Sequence, residues 1–200
     1  MRTVGLFPVP VGLVELGREF TDAEVEFARR AALRPNMYNQ SSVDSYVLNQ
    51  PELAELRAFI ERSIDQFFKD VWSPATDVSL RVTQSWLNLT RLGQAHHLHY
   101  HPNSFLSGVL YIKADEEKDQ IKFHSHAYNF LSFGAKEFNQ FNSTHWWLPA
   151  KTGFLILFPS YLQHEVDKVL SDERISLSFN TFPVGTIGVS NNLDELKLEG

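Results

Sequence analysis

The chain changes its hydrophobic period once, near residue 77. Ahead of that point apolar residues recur at steps of three and four. Leu53, Leu56, Ile60, Ile64, Phe67 and Val71 form one stripe, which predicts an amphipathic helix laid on a sheet. Pro51 suits the first turn of that helix. Earlier, Thr21-Asp22-Ala23-Glu24 has the layout of a capping box, and predicts a helix to about Leu33 that stops before Pro35. Between the two helices, residues 36–49 are polar and turn-rich. The opening stretch 4–13 is apolar but broken by Pro8 and Pro10, as in an edge strand or an extended arm.

Beyond residue 77 the period drops to two, and strands are predicted over 78–89, 105–113, 120–124, 153–158 and 174–182. No helical period of similar strength intervenes. Helices first and strands afterwards disfavour an alternating parallel sheet. They predict a mostly β fold with flanking helices, an antiparallel sandwich or barrel with the helices packed on one sheet. The last residues, 191–200, are polar and predict a frayed end or a short terminal helix.

Length and composition refine this picture only slightly. Two hundred residues fit one domain, with a helical part over about 15–75, a β core over about 77–185 and a polar tail over 186–200. Sixteen Phe and four Trp favour a sheet-dominated core. A net charge of −6 argues against a nucleic-acid partner held by phosphate neutralisation. No apolar run approaches the roughly 18 residues that span a membrane. The N-terminus lacks a secretory-signal layout, and with no cysteine a cytoplasmic location is the expectation. The lack of cysteine also removes thiolate metal ligands and thiol nucleophiles.

What remains for chemistry is histidine. Four of the eight lie in one stretch, His96-His97-Leu98-His99-Tyr100-His101. On a strand, His97, His99 and His101 would share a face, and two of them could grip one ion. A surface cluster or ordinary core histidines would read the same way. His164 follows the apolar run 154–158 and could bring a third imidazole. Further on, alternation puts Ile175, Leu177 and Phe179 on one face, and Arg174, Ser176, Ser178 and Asn180 on the other. That polar side faces either water or a cavity. In a cavity, Arg174 and Ser176 could clamp a carboxylate. Asn88 can offer an amide to a small acid, and Tyr111 a hydroxyl to the same cavity. His124 and His126 form another period-two pair, suited to the pocket mouth, to substrate or to plain surface. His145-Trp146-Trp147, ahead of Pro149, reads as a packing corner or an aromatic wall.

Two runs carry a resemblance to a known superfamily. One is His99-Tyr100-His101-Pro102-Asn103-Ser104-Phe105-Leu106-Ser107-Gly108-Val109-Leu110-Tyr111. The other is Phe158-Pro159-Ser160-Tyr161-Leu162-Gln163-His164 followed by Glu173-Arg174-Ile175-Ser176-Leu177-Ser178-Phe179-Asn180. In this order and spacing they resemble the 2-oxoglutarate/Fe(II)-dependent oxygenases, and most closely a bacterial and phage family with a His-x-His-Pro-Asn-Ser motif. The resemblance covers roughly residues 83–183. It implies a double-stranded β-helix, or jelly-roll, with Fe(II), 2-oxoglutarate and O2 as cofactor and cosubstrates. His99 and His164 then match two iron ligands, Arg174 and Ser176 match the cosubstrate clamp, and Asn88 matches a cosubstrate-binding position. His101 stands where the superfamily has Asp or Glu, so the ligand set is taken as His99, His101 and His164. His97, Asp115 and Asp119 are the other candidates for the third position.

The implied activity is hydroxylation of a small-molecule or peptide substrate with release of succinate and CO2. Halogenation is disfavoured because His101 fills the position that halide needs. A cupin-like three-histidine iron dioxygenase without 2-oxoglutarate would also use three imidazoles. A jelly-roll binding module without turnover is the third reading.

Overall fold

The computed structural model describes residues 1–125, 131 and 134–199. Among the described residues there are twelve strands and two α-helices, the long strands following the helices as expected, with two short strands inserted between the two helices. They are β1 (Gly12–Glu15), α1 (Asp22–Arg30), β2 (Leu33–Pro35), β3 (Gln40–Ser42), α2 (Ala54–Trp72), β4 (Ser79–Arg91), β5 (His96–His99) and β6 (Leu106–Lys113). After these come β7 (Gln120–His124), β8 (His145–Pro149), β9 (Phe154–Pro159), β10 (His164–Val166), β11 (Glu173–Ile187) and β12 (Leu196–Leu198). The major sheet runs β1-β9-β6-β11-β4-β3-β2, with β12 hydrogen-bonded to β11. The minor sheet runs β5-β10-β7-β8. Every named strand pair is antiparallel. This is the two-sheet jelly-roll that the resemblance implies.

Two apolar cores lie on the two faces of the major sheet. On the outer face Leu56, Ile60 and Ile64 of α2 pack against Leu87, Leu110, Leu157 and Leu177. These are the stripe of the helix and one alternation set of the strands. On the inner face Val109, Tyr111, Ile156 and Phe158 meet Ile121 and Phe123 of the minor sheet. Gly108 explains how β6 fits between β9 and β11. A Cβ there would overlap the Phe179 ring and lie 2.9 Å from Leu157 Cδ2.

Local sequence chemistry accounts for the helix ends. Thr21 caps α1, its hydroxyl accepting from Glu24 N while Glu24 Oε2 accepts from Thr21 N. The helix stops at Arg30, earlier than expected, because Leu33–Pro35 leaves to pair with β3. A 3-10 turn over Pro51–Leu53 leads into α2, which ends on Ser73 in the left-handed region at φ 43°. Elsewhere tertiary pairing overrides the sequence reading. The corner at His145 is an edge strand paired with β7, and the tail holds a 3-10 turn over Ser190–Asn192 followed by β12. Among the described residues, no helix is long and apolar enough to cross a membrane.

Candidate metal centre

His99 and His164 are direct cross-strand partners on β5 and β10, which brings their rings to 4.3 Å between centroids. His101 lies two residues past the end of β5, and its backbone N–H bonds to Ser160 O at 2.9 Å. Its ring stands 5.2 Å from that of His99 and 5.1 Å from that of His164. The ligand-capable nitrogens of His99, His101 and His164 all lie within 4.8 Å of one another. Among the described residues no carboxylate joins this group, so neither Asp115 nor Asp119 belongs to it. Asp119 is buried elsewhere, accepting from Ser171 Oγ at 2.7 Å.

Each imidazole is held by its Nδ1. His99 Nδ1 donates to His97 O at 2.7 Å, and His164 Nδ1 to Leu162 O at 2.9 Å. His101 Nδ1 donates to Asn180 Oδ1 at 2.6 Å, with Ser107 Oγ at 2.8 Å. A proton on Nδ1 leaves the Nε2 lone pair free in all three rings. The groups that orient His101 come from both sequence runs. Ser107 Oγ donates to Asn180 Oδ1 at 2.9 Å and sits 2.7 Å from Ser160 Oγ, which itself reaches Ser104 Oγ at 2.7 Å. Asn180 therefore serves as the acceptor that sets the tautomer of His101.

Burial keeps the cluster uncharged. It pushes His101 down to about 4, helped by His99. It holds His164 well below the ordinary histidine value, with His99 and His101 adding to the effect, and it lowers His99 as well. Neutral, anchored and convergent imidazoles are what a borderline divalent cation requires.

A second polar set lies on the same inner face of the major sheet. Asn88, Ser176 and Tyr111 are aligned across β4, β11 and β6, and Arg174 pairs with Thr90 one row away. Arg174 is only 4% exposed, and among the described residues it has no carboxylate partner. Its Nη1 donates to Gln120 O at 3.0 Å and its Nη2 to the Tyr111 hydroxyl at 3.3 Å. Burial pushes the Tyr111 phenol up, so it stays a donor. Asn88 Nδ2 bonds to Ser178 Oγ at 3.1 Å, and its Oδ1 has no partner among the described residues. A buried guanidinium without a counter-charge is costly, and a bound dianionic acid would offset it.

The structure corrects the face expected of β5. His164 pairs with His99 but Val166 with His96, so β5 carries an extra residue and the alternation slips. His96 therefore joins His99 on the inward side, with their rings stacked 4.6 Å apart. His97 also stays near His99, their rings 4.9 Å apart, whereas His101 lies beyond the end of the strand. His124 is not brought to the cluster either. It projects from the opposite side of β7 to Phe123, where its Nε2 lies 2.9 Å from Glu165 Oε1. His126 lies outside the described residues. A cavity of ≈ 660 Å³ opens beside His101 and Asn180, walled by Tyr46, Arg81, Gln84 and Tyr100. None of these four stands out in the sequence, because a cavity wall assembled from one strand and two separate connections has no single period to read.

Residues 84–180 match the family model for 2OG-Fe(II) oxygenases. No curated protein matches the chain in sequence. Among solved structures, a 2OG-Fe(II) oxygenase family oxidoreductase from Burkholderia pseudomallei is 16% identical with TM-score 0.58, over 85% of this chain and 84% of that one. HygX from Streptomyces hygroscopicus, solved with nickel and 2-oxoglutarate bound, is 12% identical with TM-score 0.61, over 86% and 82%. A Pseudomonas putida prolyl-4-hydroxylase is 17% identical with TM-score 0.55, over 86% and 92%. At these identities the likeness speaks for the fold.

Proposed function

We propose, for a chain whose residues 84–180 belong to the 2OG-Fe(II) oxygenase family, that His99, His101 and His164 hold Fe(II) and that Arg174 anchors 2-oxoglutarate. The observation that carries the metal assignment is the set of three Nδ1 hydrogen bonds to carbonyl oxygens, which leaves three lone pairs for one cation. When bound, Fe(II) supplies an oxidation in which 2-oxoglutarate and O2 yield succinate and CO2, the second oxygen atom going to a substrate C–H to give an alcohol.

The rest is the work of this chain's own residues. His97 O, Leu162 O and Asn180 Oδ1 keep the imidazoles in one tautomer and one orientation. Arg174, held by Gln120 O and Tyr111, meets an anion without having to reorganise. Phe123, Phe158 and Ile156 close the interior against water. The cavity beside His101 is the approach left for substrate, and its size is that of a small-molecule or side-chain pocket. Three neutral ligands leave the cation with one unit of positive charge more than a two-histidine, one-carboxylate set would.

The test is anaerobic addition of 2-oxoglutarate to the Fe(II)-loaded protein, followed by its visible charge-transfer absorbance. A band that appears only with metal and cosubstrate together is expected. Arg174→Ala should weaken cosubstrate binding by one to two orders of magnitude and leave metal affinity in place. No metal-dependent binding of 2-oxoglutarate would overturn the reading in favour of a three-histidine site that does not use it.

A further inference from the structure

The clamp around Arg174 is wider than its sequence motif. Two of the guanidinium donors are already engaged, Nη1 by Gln120 O and Nη2 by the Tyr111 hydroxyl. A carboxylate has about four acceptor sites to satisfy, so a buried one needs donors from other elements. Two side chains outside the recognised runs lie near the clamp with polar atoms that lack partners among the described residues.

The first is Asn39, immediately ahead of β3. The register Gln40 to Leu89 and Ser41 to Asn88 puts Asn39 beside Thr90, and its Nδ2 lies 3.3 Å from Thr90 Oγ1. Thr90 is the cross-strand partner of Arg174. Asn39 is 4% exposed, yet its Oδ1 has no partner among the described residues. Asn88, one row away on the same sheet face, has the same defect at its own Oδ1. An amide reversed about its last bond would accept the Thr90 hydroxyl through oxygen and put its NH2 at the position now lacking a partner, where an acceptor such as a carboxylate would satisfy it.

The second is His96. The extra residue in β5 turns it inward, stacked on the iron-ligand candidate His99 at 4.6 Å and 21°. It makes no hydrogen bond among the described residues, and it is close enough to Arg174 to feel its charge. Its ring nitrogens thus stand without a hydrogen-bond partner among the described residues, on the inward side next to the metal centre.

We propose that Asn39 and His96 are cosubstrate-positioning residues, which donate to the carboxylates of 2-oxoglutarate alongside Arg174. The proposal rests on the Fe(II)/2-oxoglutarate reading above. It adds to that reading the residue just ahead of β3 and a residue of the β5 bulge, which hold the dianion against the inner face of the major sheet.

Calorimetric titration of 2-oxoglutarate into Ni(II)-loaded protein tests it without turnover. His96→Phe keeps the ring and removes the donor, and Asn39→Asp keeps the size and places a carboxylate beside the anion. Each should raise the dissociation constant for 2-oxoglutarate about tenfold or more, with Ni(II) affinity within about twofold of the parent. His96→Gln, which restores a donor, should recover most of the loss, an effect that a packing role would not produce. Thermal unfolding verifies that each variant is folded, and Asn39→Leu replaces Asn39→Asp if the latter is not. Parent-like 2-oxoglutarate affinity in both variants, with Arg174→Ala impaired, overturns the proposal and leaves the parent reading standing. A parent protein that does not bind 2-oxoglutarate overturns both. Loss of a second Ni(II) equivalent in His96→Phe would assign His96 to a metal group with His97 and His99 instead, and overturn its place in the clamp.

Discussion

At the residue scale, the three imidazoles differ in what holds them. His99 and His164 lean on backbone carbonyls, which no substitution removes. His101 leans on a side chain, the Asn180 carboxamide, supported by the Ser107 hydroxyl. His101 is therefore the position of the proposed ligand set that is open to tuning. Asn180→Leu should lower metal affinity by about 10- to 100-fold, since the ring loses its orienting acceptor. Asn180→Asp retains an acceptor and adds negative charge behind the ring, so metal should bind at least as tightly as in the parent protein. Equilibrium dialysis against a competing chelator distinguishes the two. Equal metal affinity in the leucine variant would show that Asn180 does not govern His101.

At the element scale, β11 does most of the organising. It pairs with both β4 and β6 and puts its apolar residues against α2 and its polar residues against the site. Its neighbour β6 tolerates nothing larger than glycine at residue 108, where the Phe179 ring and Leu157 fill the space a side chain would take. Gly108→Val should destabilise the protein by about 1–3 kcal/mol through overpacking. Chemical denaturation measures this, and an unchanged midpoint would mean that the Phe179 ring moves aside freely. The helices serve the same sheet from its outer face, α2 with a stripe in which Leu56, Ile60 and Ile64 are buried.

For the whole molecule, a cluster of neutral buried histidines links folding to pH. Burial, with His99, His97 and Arg174 nearby, pushes His96 down to about 3, and burial beside His99 pushes His101 down to about 4, from 6.5. As pH falls through 6.5 the unfolded chain takes up protons that the folded chain refuses, so stability declines with falling pH. The decline is at most about 1.4 kcal/mol per imidazole for each pH unit, and it levels off as the folded groups titrate. Metal-free protein should therefore melt progressively lower between pH 6.5 and 4.5, before carboxylates dominate. Saturating divalent metal should raise the melting temperature most near neutral pH, where the ligands need no deprotonation. A melting temperature that is flat from pH 7 to 5 in chelator would contradict neutral burial of the cluster.

Much of this protein can be read from local pattern. The α2 stripe, the Thr21 cap, the long strands and the two motif runs are periodic or contiguous, and period and adjacency are properties of sequence. They lead to a helix-flanked jelly-roll, to His99, His101 and His164, and to Arg174 with Ser176. Short strands such as β8, β10 and β12 escape such reading because their stability lies in a partner far along the chain. The inward turn of His96 depends on a bulge, which is a mismatch between two strands and exists in neither alone. Asn39 comes to Thr90, the partner of Arg174, only through the register of β3 on β4, and the acceptor for His101 is 79 residues away at Asn180. The sequence by itself determined which side chains are available for iron and an anion. Tertiary structure decided which of them meet and which nitrogen each imidazole leaves free, because hydrogen-bond partners and strand register are set by packing across the sheets.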